Sequence, residues 1–290
     1  MAISFREYRD SPKSKKPHIL IVGYPLGHSL SPYMHNSAIH HYSMDAEYLA
    51  VELHPHELTD FISACNSDDF LGCNITLPYK QDFLRLADLL DEDAEDIGAI
   101  NVLAKKNHQL VGFNTDIHGF IQPLRRYSEQ INGSRAIVFG TGGSSKAVCK
   151  GLLKIGTDEI IQVSRAPYDR EDIPSVKDSV RLVDYSQWTA FAEEASLIVN
   201  CTPLGMTPNV ESSPVRESEA GYLAGKICYD LVYNPVQTKF LSLSKAAGGV
   251  PVGGLEMLIE QGSKAFEIWT GRHFPDELIQ KMLKKDFLPL

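Results

Sequence analysis

Short apolar runs that favour β-strands alternate with amphipathic runs that favour helices along almost all of this 290-residue chain. Most of the strand-like runs are continuously apolar rather than apolar at every second residue. That pattern is typical of parallel strands covered on both faces. The order strand–helix–strand therefore predicts an α/β protein with parallel sheets, and no internal repeat or low-complexity segment interrupts it.

The alternation falls into two series, with a boundary near residues 114–133. In the first series, strands are predicted at His18–Gly23, Ala46–Leu53, Phe70–Ile75, Ala99–Lys105 and Gln109–Asn114. Helices are predicted between the earlier strands, at Pro32–Tyr42, Pro55–Cys65 and Tyr79–Leu89. The last two strands flank a short polar connection, which predicts a hairpin. A helix from Asp116 to about Gln130, with Pro123 as a candidate kink, leads to the second series.

The second series is more regular than the first. Its strands are predicted at Arg135–Phe139, Glu159–Val163, Arg181–Val183, Leu197–Asn200, Ile227–Val232 and Gly249–Val252. Its helices are predicted at Ser144–Lys154, Gln187–Ala195 and Val236–Ala247, and the chain ends in two further helices, Leu255–Thr270 and Pro275–Lys284. Two α/β domains follow from this organisation.

Composition and charge exclude several classes of protein. The formal net charge is −9, and the only dense basic cluster, Lys13 to Lys16, lies in a polar N-terminal tail, where we expect the cluster to be solvated. Nucleic acid is therefore not the expected partner. No apolar run has membrane-spanning length, and the first 17 residues lack the apolar core of a signal peptide. Five cysteines without close pairs favour reduced thiols, so we expect a cytoplasmic protein.

A glycine-rich turn joins the first strand of the second series to a helix. Its residues are Gly140-Thr141-Gly142-Gly143-Ser144-Ser145. Glycines at 140 and 142 permit a tight turn and let the backbone approach a pyrophosphate, which the helix N-terminus then binds. The third fingerprint position is Ser145 rather than glycine, so a strand-to-helix turn without ligand is the alternative. The preceding strand, the following helix and five further strands favour a dinucleotide site.

The end of the next strand indicates which dinucleotide is preferred. An NAD-binding protein would carry a carboxylate there for the ribose hydroxyls, whereas this chain has Ser164-Arg165. The guanidinium of Arg165 suits a 2′-phosphate, so NADP is favoured. NAD remains an alternative because Asp169 or Glu171 is able to bind a ribose diol, and Arg170 fits a surface ion pair equally well.

A lysine follows the strand Phe70–Ile75 in an unusual position. Pro78 is predicted to be the first residue of a helix, which places Lys80 in the first turn, at the positive end of the helix dipole. A cation there is unfavourable by about 0.3–1 kcal/mol. We therefore expect Lys80 to have a nearby anion or a chemical role.

Other polar residues in the first half allow two interpretations. Ser31, followed by Pro32, fits a helix N-cap, but with Ser29 it also offers two hydroxyls to a substrate carboxylate. Asp116 stands where a strand ends and a helix begins, so it also fits an N-cap. Asn101 alone is an ordinary polar residue. A metal site is not predicted, because the histidines lack a ligand pattern with cysteines or carboxylates; they are His28, His35, His40, His41, His54 and His56.

These motifs in combination resemble the shikimate dehydrogenase family, including the quinate/shikimate dehydrogenases. The resemblance runs from about Ile19 to Phe287. It rests on Gly23, His28-Ser-Leu-Ser-Pro, His35-Asn36, Asn74 to Lys80, Gly98-Ala-Ile-Asn101, Asn114-Thr-Asp116, the glycine turn, Asn200 to Met206, Asp230-Leu-Val-Tyr233-Asn-Pro235, and Gly253 to Gln261. It implies NADPH-dependent reduction of 3-dehydroshikimate to shikimate, in the route to chorismate and aromatic amino acids.

The resemblance also implies a role for individual residues. Lys80 and Asp116 match the catalytic pair of the family. The residues expected to bind substrate are Ser29, Ser31, Thr76, Asn101, Tyr233 and Gln261. Those expected to bind the cofactor are Gly140, Thr141, Gly142, Gly143, Ser144, Ser164, Arg165, Thr202, Met206 and Gly254. The chain departs from the family pattern at Val102, at Cys201 and at Ser164-Arg165-Ala166.

The predicted organisation is a substrate-binding α/β domain over residues 1–116, with helices from residues 255–290 packing back on it, and a Rossmann-like NADP-binding domain over residues 117–254. We expect a monomer or a homodimer. Three alternatives stay open: an NAD-preferring quinate/shikimate dehydrogenase, a non-catalytic sensor of shikimate-like acids, and a folate-linked dehydrogenase. The last would not be expected to need the paired serines or Asn114-Thr-Asp116.

Overall fold

The computed structural model describes residues 2–26, 29–165 and 179–283. The chain forms two compact units. The first comprises Met1–Thr115 together with Gln261–Met282, and the second is built mainly from Asp116–Glu260. His28, Asp169, Arg170 and Glu171, which the sequence arguments used, lie outside the described residues.

A mixed sheet forms the centre of the first unit. Its strands are β1 (Ile3–Ser4), β2 (His18–Gly23), β3 (Glu47–Glu52), β4 (Phe70–Ile75), β5 (Leu89–Leu90), β6 (Val102–Lys106) and β7 (Gln109–Phe113). The spatial order is β1-β3-β2-β4-β6-β7-β5. The pairs among β1 to β4 are parallel, whereas β6 is antiparallel to β4 and to β7. The predicted hairpin is confirmed, and Asn107 and His108 adopt φ of 50° and 64° in its turn.

Helices α1 (Phe5–Asp10), α2 (Ser31–His41), α3 (Leu58–Ala64) and α4 (Glu92–Ile97) belong to the first unit. The sheet buries an apolar face that includes Leu20, Val22, Val51 and Phe70. Phe61 of α3 packs edge-on against Phe70, with ring centroids 6.4 Å apart. Burying such side chains is the main favourable contribution to folding.

The three lysines of the N-terminal cluster are exposed, as expected, but the segment before them packs on the sheet. β1 pairs with β3, and Phe5 and Tyr8 on α1 are each only 2% exposed. The Tyr8 hydroxyl lies 2.6 Å from Nε2 of His18, whose Nδ1 lies 2.7 Å from the Lys16 carbonyl oxygen. Because a carbonyl oxygen only accepts, Nδ1 carries the proton and Nε2 accepts from Tyr8. The buried pair thus attaches the N-terminal segment to β2.

The predicted helix Tyr79–Leu89 is also wrong. That segment contains turns, a 3₁₀ helix at Phe83–Arg85 and the short strand β5. Long-range contacts explain the difference: the Tyr79 hydroxyl donates to the Leu53 carbonyl, and the Ile100 N–H donates to the Lys80 carbonyl over 2.9 Å. Lys80 is therefore not in the first turn of an α-helix, and the helix-dipole argument for its position no longer applies.

An all-parallel sheet forms the centre of the second unit, as predicted. Its strands are β8 (Arg135–Phe139), β9 (Glu159–Ser164), β10 (Val180–Asp184), β11 (Ala195–Asn200), β12 (Ile227–Asp230) and β13 (Val250–Val252). The order is β10-β9-β8-β11-β12-β13, so the chain reverses its direction of travel across the sheet between β8 and β11. Ligands of open α/β sheets bind beyond the carboxyl ends of the strands at this switch point.

The helices of the second unit are α5 (Asp116–Leu124), α6 (Ser128–Ile131), α7 (Gly143–Lys154), α8 (Thr189–Ala192) and α9 (Lys239–Ala246). A 3₁₀ helix at Arg125–Tyr127 separates α5 from α6, just after Pro123. Gly151 lets α5 approach α7, because a Cβ there would lie 2.8 Å from the Phe120 ring. Phe120 in turn stacks on Tyr229 of β12, with ring centroids 5.2 Å apart.

Helices α10 (Gly254–Thr270) and α11 (Asp276–Leu283) end the described chain. The division between the two units falls inside α10, between Glu260 and Gln261. Trp269 of α10 donates from Nε1 to the Leu103 carbonyl over 3.0 Å, within the first unit. Across the described ranges, no helix combines the length and apolar character that crossing a bilayer requires.

Candidate active site

Two loops at the carboxyl ends of β2 and β4 lie side by side in the first unit. The Tyr24 N–H donates to the Leu77 carbonyl over 3.0 Å, and a Cβ at Gly23 would lie 2.4 Å from Cγ2 of Thr76. The first loop leads to Ser29 and Ser31, and the second contains Thr76 and Lys80. The fold therefore places the chain segments of these four predicted site residues at one edge of the sheet.

Ser31 is not the N-cap that the sequence suggested. It is the first residue of α2, it is 5% exposed, and Leu30 occupies the cap position without a side-chain hydrogen bond. The Ser29 hydroxyl instead accepts from the Ser31 N–H over 3.2 Å. Capping therefore does not account for the hydroxyl of Ser31.

Asn101, Thr115 and Gln261 form a connected polar cluster in the first unit. Nδ2 of Asn101 donates to Oγ1 of Thr115 over 3.0 Å, and Oδ1 of Asn101 accepts from the Thr115 N–H over 2.7 Å. The Thr115 hydroxyl lies 3.5 Å from Oε1 of Gln261. Asn101 and Thr115 are 3% and 2% exposed. Because buried polar groups are costly unless they are hydrogen-bonded, such a cluster fixes the orientation of its members.

A second buried pair supports the same edge of the sheet. The Tyr48 hydroxyl donates to Oδ1 of Asn74 over 2.5 Å, and Nδ2 of Asn74 lies 3.4 Å from the Asn101 carbonyl oxygen. Burial raises the pKa of Tyr48 well above its usual value, whereas a hydrogen bond with the side chain of Ser31 lowers it. His35 stacks on the Tyr48 ring at 4.3 Å, and burial lowers the pKa of His35 to about 3. Tyr48 thus links Ser31 to the Asn74–Asn101 side of the cluster.

Lys80 and Asp116 are both half-buried. The backbone of Lys80 accepts from Ile100, immediately before Asn101, and Asp116 follows Thr115 as the first residue of α5. Lys80 is therefore hydrogen-bonded to the residue before Asn101, and Asp116 directly follows Thr115 in the chain. Tyr233 is half-buried in the second unit, and burial raises its pKa.

The glycine turn follows β8 at the switch point of the second sheet. Gly140 adopts φ +104°, and a Cβ there would lie 3.1 Å from Cγ2 of Thr202. A glycine is required at 140 for both reasons. By contrast, a Cβ at Gly142 or Gly143 would meet no atom within 4 Å, so the protein's own packing does not require glycine there. The space above Gly142 and Gly143 is open to a ligand at the N-terminus of α7.

A buried network shapes the loop after β11, on the other side of the switch point. Nδ2 of Asn200 donates to Oδ1 of Asp230 over 2.9 Å, and Oδ1 of Asn200 accepts from the hydroxyl of Thr202 over 2.6 Å. The Thr238 hydroxyl donates to Oδ2 of Asp230 over 2.6 Å. Burial raises the pKa of Asp230 to about 6, even though its hydrogen bonds from Thr238, Val232 and Asn200 act in the opposite direction. This network positions Thr202 beside Gly140.

The remaining predicted cofactor residues have varied surroundings. Ser164 is buried at the end of β9, and Arg165, which follows it, is exposed. Met206 is 47% exposed. Gly254 is buried, and a Cβ there would lie 2.3 Å from the Leu231 carbonyl oxygen. Backbone packing therefore already explains the glycine at 254.

Sequence reasoning assigned no role to Tyr48, Thr115 or Gln162, although each hydrogen-bonds a residue or loop of the predicted site. The signal for Gln162 was a polar residue among apolar neighbours in β9. In the part of the chain that the structure describes, no group of three or more His, Cys, Asp or Glu side chains could hold a metal ion.

The strand order, with a glycine turn at the switch point, defines a dinucleotide-binding α/β protein. The model of the shikimate dehydrogenase substrate-binding domain matches residues 21–103, and that of the shikimate 5′-dehydrogenase C-terminal domain matches residues 254–284. A shikimate dehydrogenase (NADP(+)) of Synechocystis is 34% identical over 270 residues, covering 91% of this chain and 93% of that protein.

Solved structures give the same result. A shikimate 5-dehydrogenase from Thermus thermophilus, in complex with NADP(H) and shikimate, is 30% identical, with a TM-score of 0.79 and coverage of 92% and 98% of the two chains. One from Listeria monocytogenes, in complex with shikimate and NAD, is 29% identical, with a TM-score of 0.83 and coverage of 93% and 96%. This chain belongs to the shikimate dehydrogenase family, whose NADP-dependent members are oxidoreductases acting on a CH–OH group.

Proposed function

We propose that this protein catalyses the reversible, NADPH-dependent reduction of 3-dehydroshikimate to shikimate, in the route to chorismate and aromatic amino acids. The observation that carries the proposal is the buried cluster of Asn101, Thr115 and Gln261. It fixes side-chain amides and a hydroxyl next to the backbone of Lys80. Amide and hydroxyl groups are suited to the several hydroxyls of a polyol ring.

Within this proposal, the residues that bind the substrate belong to the first unit, apart from Tyr233 of the second. Ser29 and Ser31 donate hydroxyl hydrogens to its carboxylate, and the network through Tyr48 orients Ser31. Four residues contact the ring hydroxyls or lie beside them: Thr76, Asn101, Tyr233 and Gln261. This assignment is supported by two adjacent loops, one leading to Ser29 and to Ser31 at the start of α2, the other containing Thr76.

Lys80 and Asp116 act as the acid–base pair. NADPH supplies the hydride to the ketone carbon. As the carbonyl oxygen gains negative charge, the ammonium of Lys80 donates a proton to it, and in the oxidative direction the neutral amine accepts that proton. Asp116 supplies the carboxylate that stabilises the ammonium form of Lys80. A positioned acid–base group of this kind contributes about 10²–10⁴-fold to turnover.

The second unit binds the dinucleotide at its switch point. The residues that fit the pyrophosphate are the glycine turn with Thr141 and Ser144, because the space above the turn is open. Arg165 is exposed directly after β9, with Ser164 before it, and its guanidinium suits a 2′-phosphate. Thr202, Met206 and Gly254 complete the cofactor set. The protein works in the cytoplasm as a monomer or homodimer, and its five cysteines, which are not in disulfides, support a reducing compartment.

The test is one initial-rate comparison of shikimate and quinate, each with NADP⁺ and NAD⁺. We expect the highest kcat/KM with shikimate and NADP⁺. A second candidate, an NAD-preferring quinate/shikimate dehydrogenase, is favoured by one observation, the similarity to the Listeria enzyme in complex with shikimate and NAD. A higher kcat/KM with NAD⁺ or with quinate would replace the first proposal by the second. Absence of turnover with measurable shikimate binding would contradict both and indicate a sensor.

A further inference from the structure

Gln162 is a buried amide between apolar neighbours in the middle of a strand. It lies on β9, next to β8 in the sheet, and its side chain is 0% exposed. Its neighbours Ile160, Ile161 and Val163 are equally buried. A buried amide is costly unless its polar atoms are hydrogen-bonded, so this position requires specific partners.

Two hydrogen-bond partners of Gln162 belong to the glycine turn. Nε2 donates to the Gly140 carbonyl oxygen over 2.8 Å and to Oγ of Ser145 over 3.1 Å. The Ser145 hydroxyl, itself fully buried, donates to the Gly142 carbonyl oxygen over 2.6 Å. One amide group thus binds one carbonyl of the turn directly and a second through Ser145.

These bonds, together with the Ser145 N–H that also donates to the Gly142 carbonyl over 3.1 Å, set the direction of the N–H groups in the turn. In a planar trans peptide the C=O of one residue and the N–H of the next point to opposite sides. Because the carbonyls of Gly140 and Gly142 point toward Gln162 and Ser145, the N–H groups of Thr141 and Gly143 point away from them. The open space beside Gly142 and Gly143 is where a phosphate oxygen would accept from such N–H groups.

We propose that Gln162 is a positioning residue for the cofactor: through Gly140 and Ser145 it orients the backbone N–H groups of the glycine turn toward the pyrophosphate of the dinucleotide. The inference rests on the proposed function, since it assumes that the turn binds NADP. It goes further by assigning part of the affinity for the dinucleotide to a side chain that never touches it.

The test compares two ligands that differ in whether they carry a pyrophosphate. Gln162→Met keeps a side chain of similar length and volume but has no donor. We expect the Kd of NADP⁺ to rise about tenfold, because the net free energy of one hydrogen bond corresponds to a change of about that size. The Kd of adenosine 2′-monophosphate, which keeps the 2′-phosphate but has no pyrophosphate, should stay within about twofold. Isothermal titration with the purified full chain measures both.

Two further variants make the result specific. Ser145→Ala removes only the bridge to Gly142, so it should weaken NADP⁺ binding in the same direction and should combine non-additively with Gln162→Met. Ile161→Val changes a buried core residue of the same strand without touching the turn, and both Kd values should remain those of the wild type. Ser145→Ala also carries the test should Gln162→Met fail to fold.

Three results would overturn the inference. One is a folded Gln162→Met variant, or Ser145→Ala in its place, that binds NADP⁺ as tightly as the wild type. Another is an equal weakening of both ligands, which would indicate general loosening of the unit. The third is a comparable loss in Ile161→Val. A wild-type protein that binds neither NADP⁺ nor NAD⁺ would instead contradict the proposed function before any variant is compared.

Discussion

Replacing Asp230 by asparagine should change how the stability of the second unit depends on pH. Asp230 ends β12, is fully buried, and accepts hydrogen bonds from Asn200, Thr238 and the Val232 N–H. These three donors are neutral groups, and burial raises the pKa of Asp230 from 3.8 to about 6. The ionised carboxylate is therefore less favourable in the folded protein than in the unfolded chain.

The sign and size of the effect follow from that pKa. Between the unfolded value of 3.8 and the folded value of about 6, the folded state binds more protons than the unfolded state. The free energy of unfolding therefore falls as the pH rises through this window. The stability that protonated Asp230 contributes is fully present below 3.8 and lost above about 6. A difference of about two pKa units corresponds to about 3 kcal/mol.

The assay is urea unfolding of the wild type and of Asp230→Asn between about pH 3 and pH 7.5, the range that contains the expected window. Two units need not unfold together, so the signal must come from the second. Trp188 is fully buried there against Phe139, whereas Trp269 belongs to the first unit. A Trp269→Phe background in both proteins leaves Trp188 as the fluorescent reporter.

We expect the stability of Asp230→Asn relative to the wild type to increase by about 3 kcal/mol from the acidic to the neutral end. The comparison cancels other titrations, including that of His35, whose pKa burial lowers to about 3. It also cancels any constant cost of placing an amide next to Thr238. Parallel curves for the two proteins would refute the reasoning, because they would mean that the hydrogen bonds to Asp230 fully offset its burial.

Lys80→Ala should lower kcat by about 10²–10⁴-fold with much smaller changes in KM; near-normal kcat in the initial-rate assay would remove Lys80 from the chemistry. Asp116→Asn should also lower kcat, and full activity would leave Asp116 only as the first residue of α5. Tyr48→Phe removes the donor to Oδ1 of Asn74 and should lower the free energy of unfolding by about 1–3 kcal/mol. The KM for shikimate should rise and the first unit should unfold at lower urea, whereas unchanged values would exclude a supporting role. Gly140→Ala requires alanine at φ +104° beside Thr202, which costs at least about 1–3 kcal/mol; a wild-type Tm and Kd for NADP⁺ would contradict that.

The second unit was the easier part to predict from sequence. Its strands are continuously apolar and its glycine turn has a fixed local pattern, so both signals are contained in short segments. The helix predicted at Tyr79–Leu89 failed for the opposite reason. Its apolar spacing is helical, but Tyr79 and Lys80 are hydrogen-bonded to Leu53 and Ile100, which sequence spacing does not reveal. β1 has only two residues, too few to show any periodicity.

The site divides in the same way. Motifs located the segments that carry Ser29, Ser31 and Lys80, because each segment follows a predicted strand and leads into a predicted helix. The residues that orient them were not predictable, because the contacts are between distant positions. Tyr48 and Asn74 are 26 residues apart, and Gln162 and Ser145 are 17 residues apart. One expectation based on local sequence, that Ser31 caps α2, was wrong because Leu30 takes that position.

The two units use the same physical device at their sites. Asn74 and Gln162 are buried amides within apolar strands, and each is hydrogen-bonded to backbone that leads into a predicted ligand-binding segment. An apolar residue at either position would avoid the cost of burying an amide, so packing alone does not explain the choice. A buried backbone carbonyl needs a donor, and Gln162 on the neighbouring strand supplies one to Gly140. Asn74 adds a longer bond to the Asn101 carbonyl, which also accepts from the Ile75 N–H over 2.8 Å. A polar residue within an apolar strand therefore marks where an adjacent loop is being oriented, and the sequence shows this signal before any contact is known.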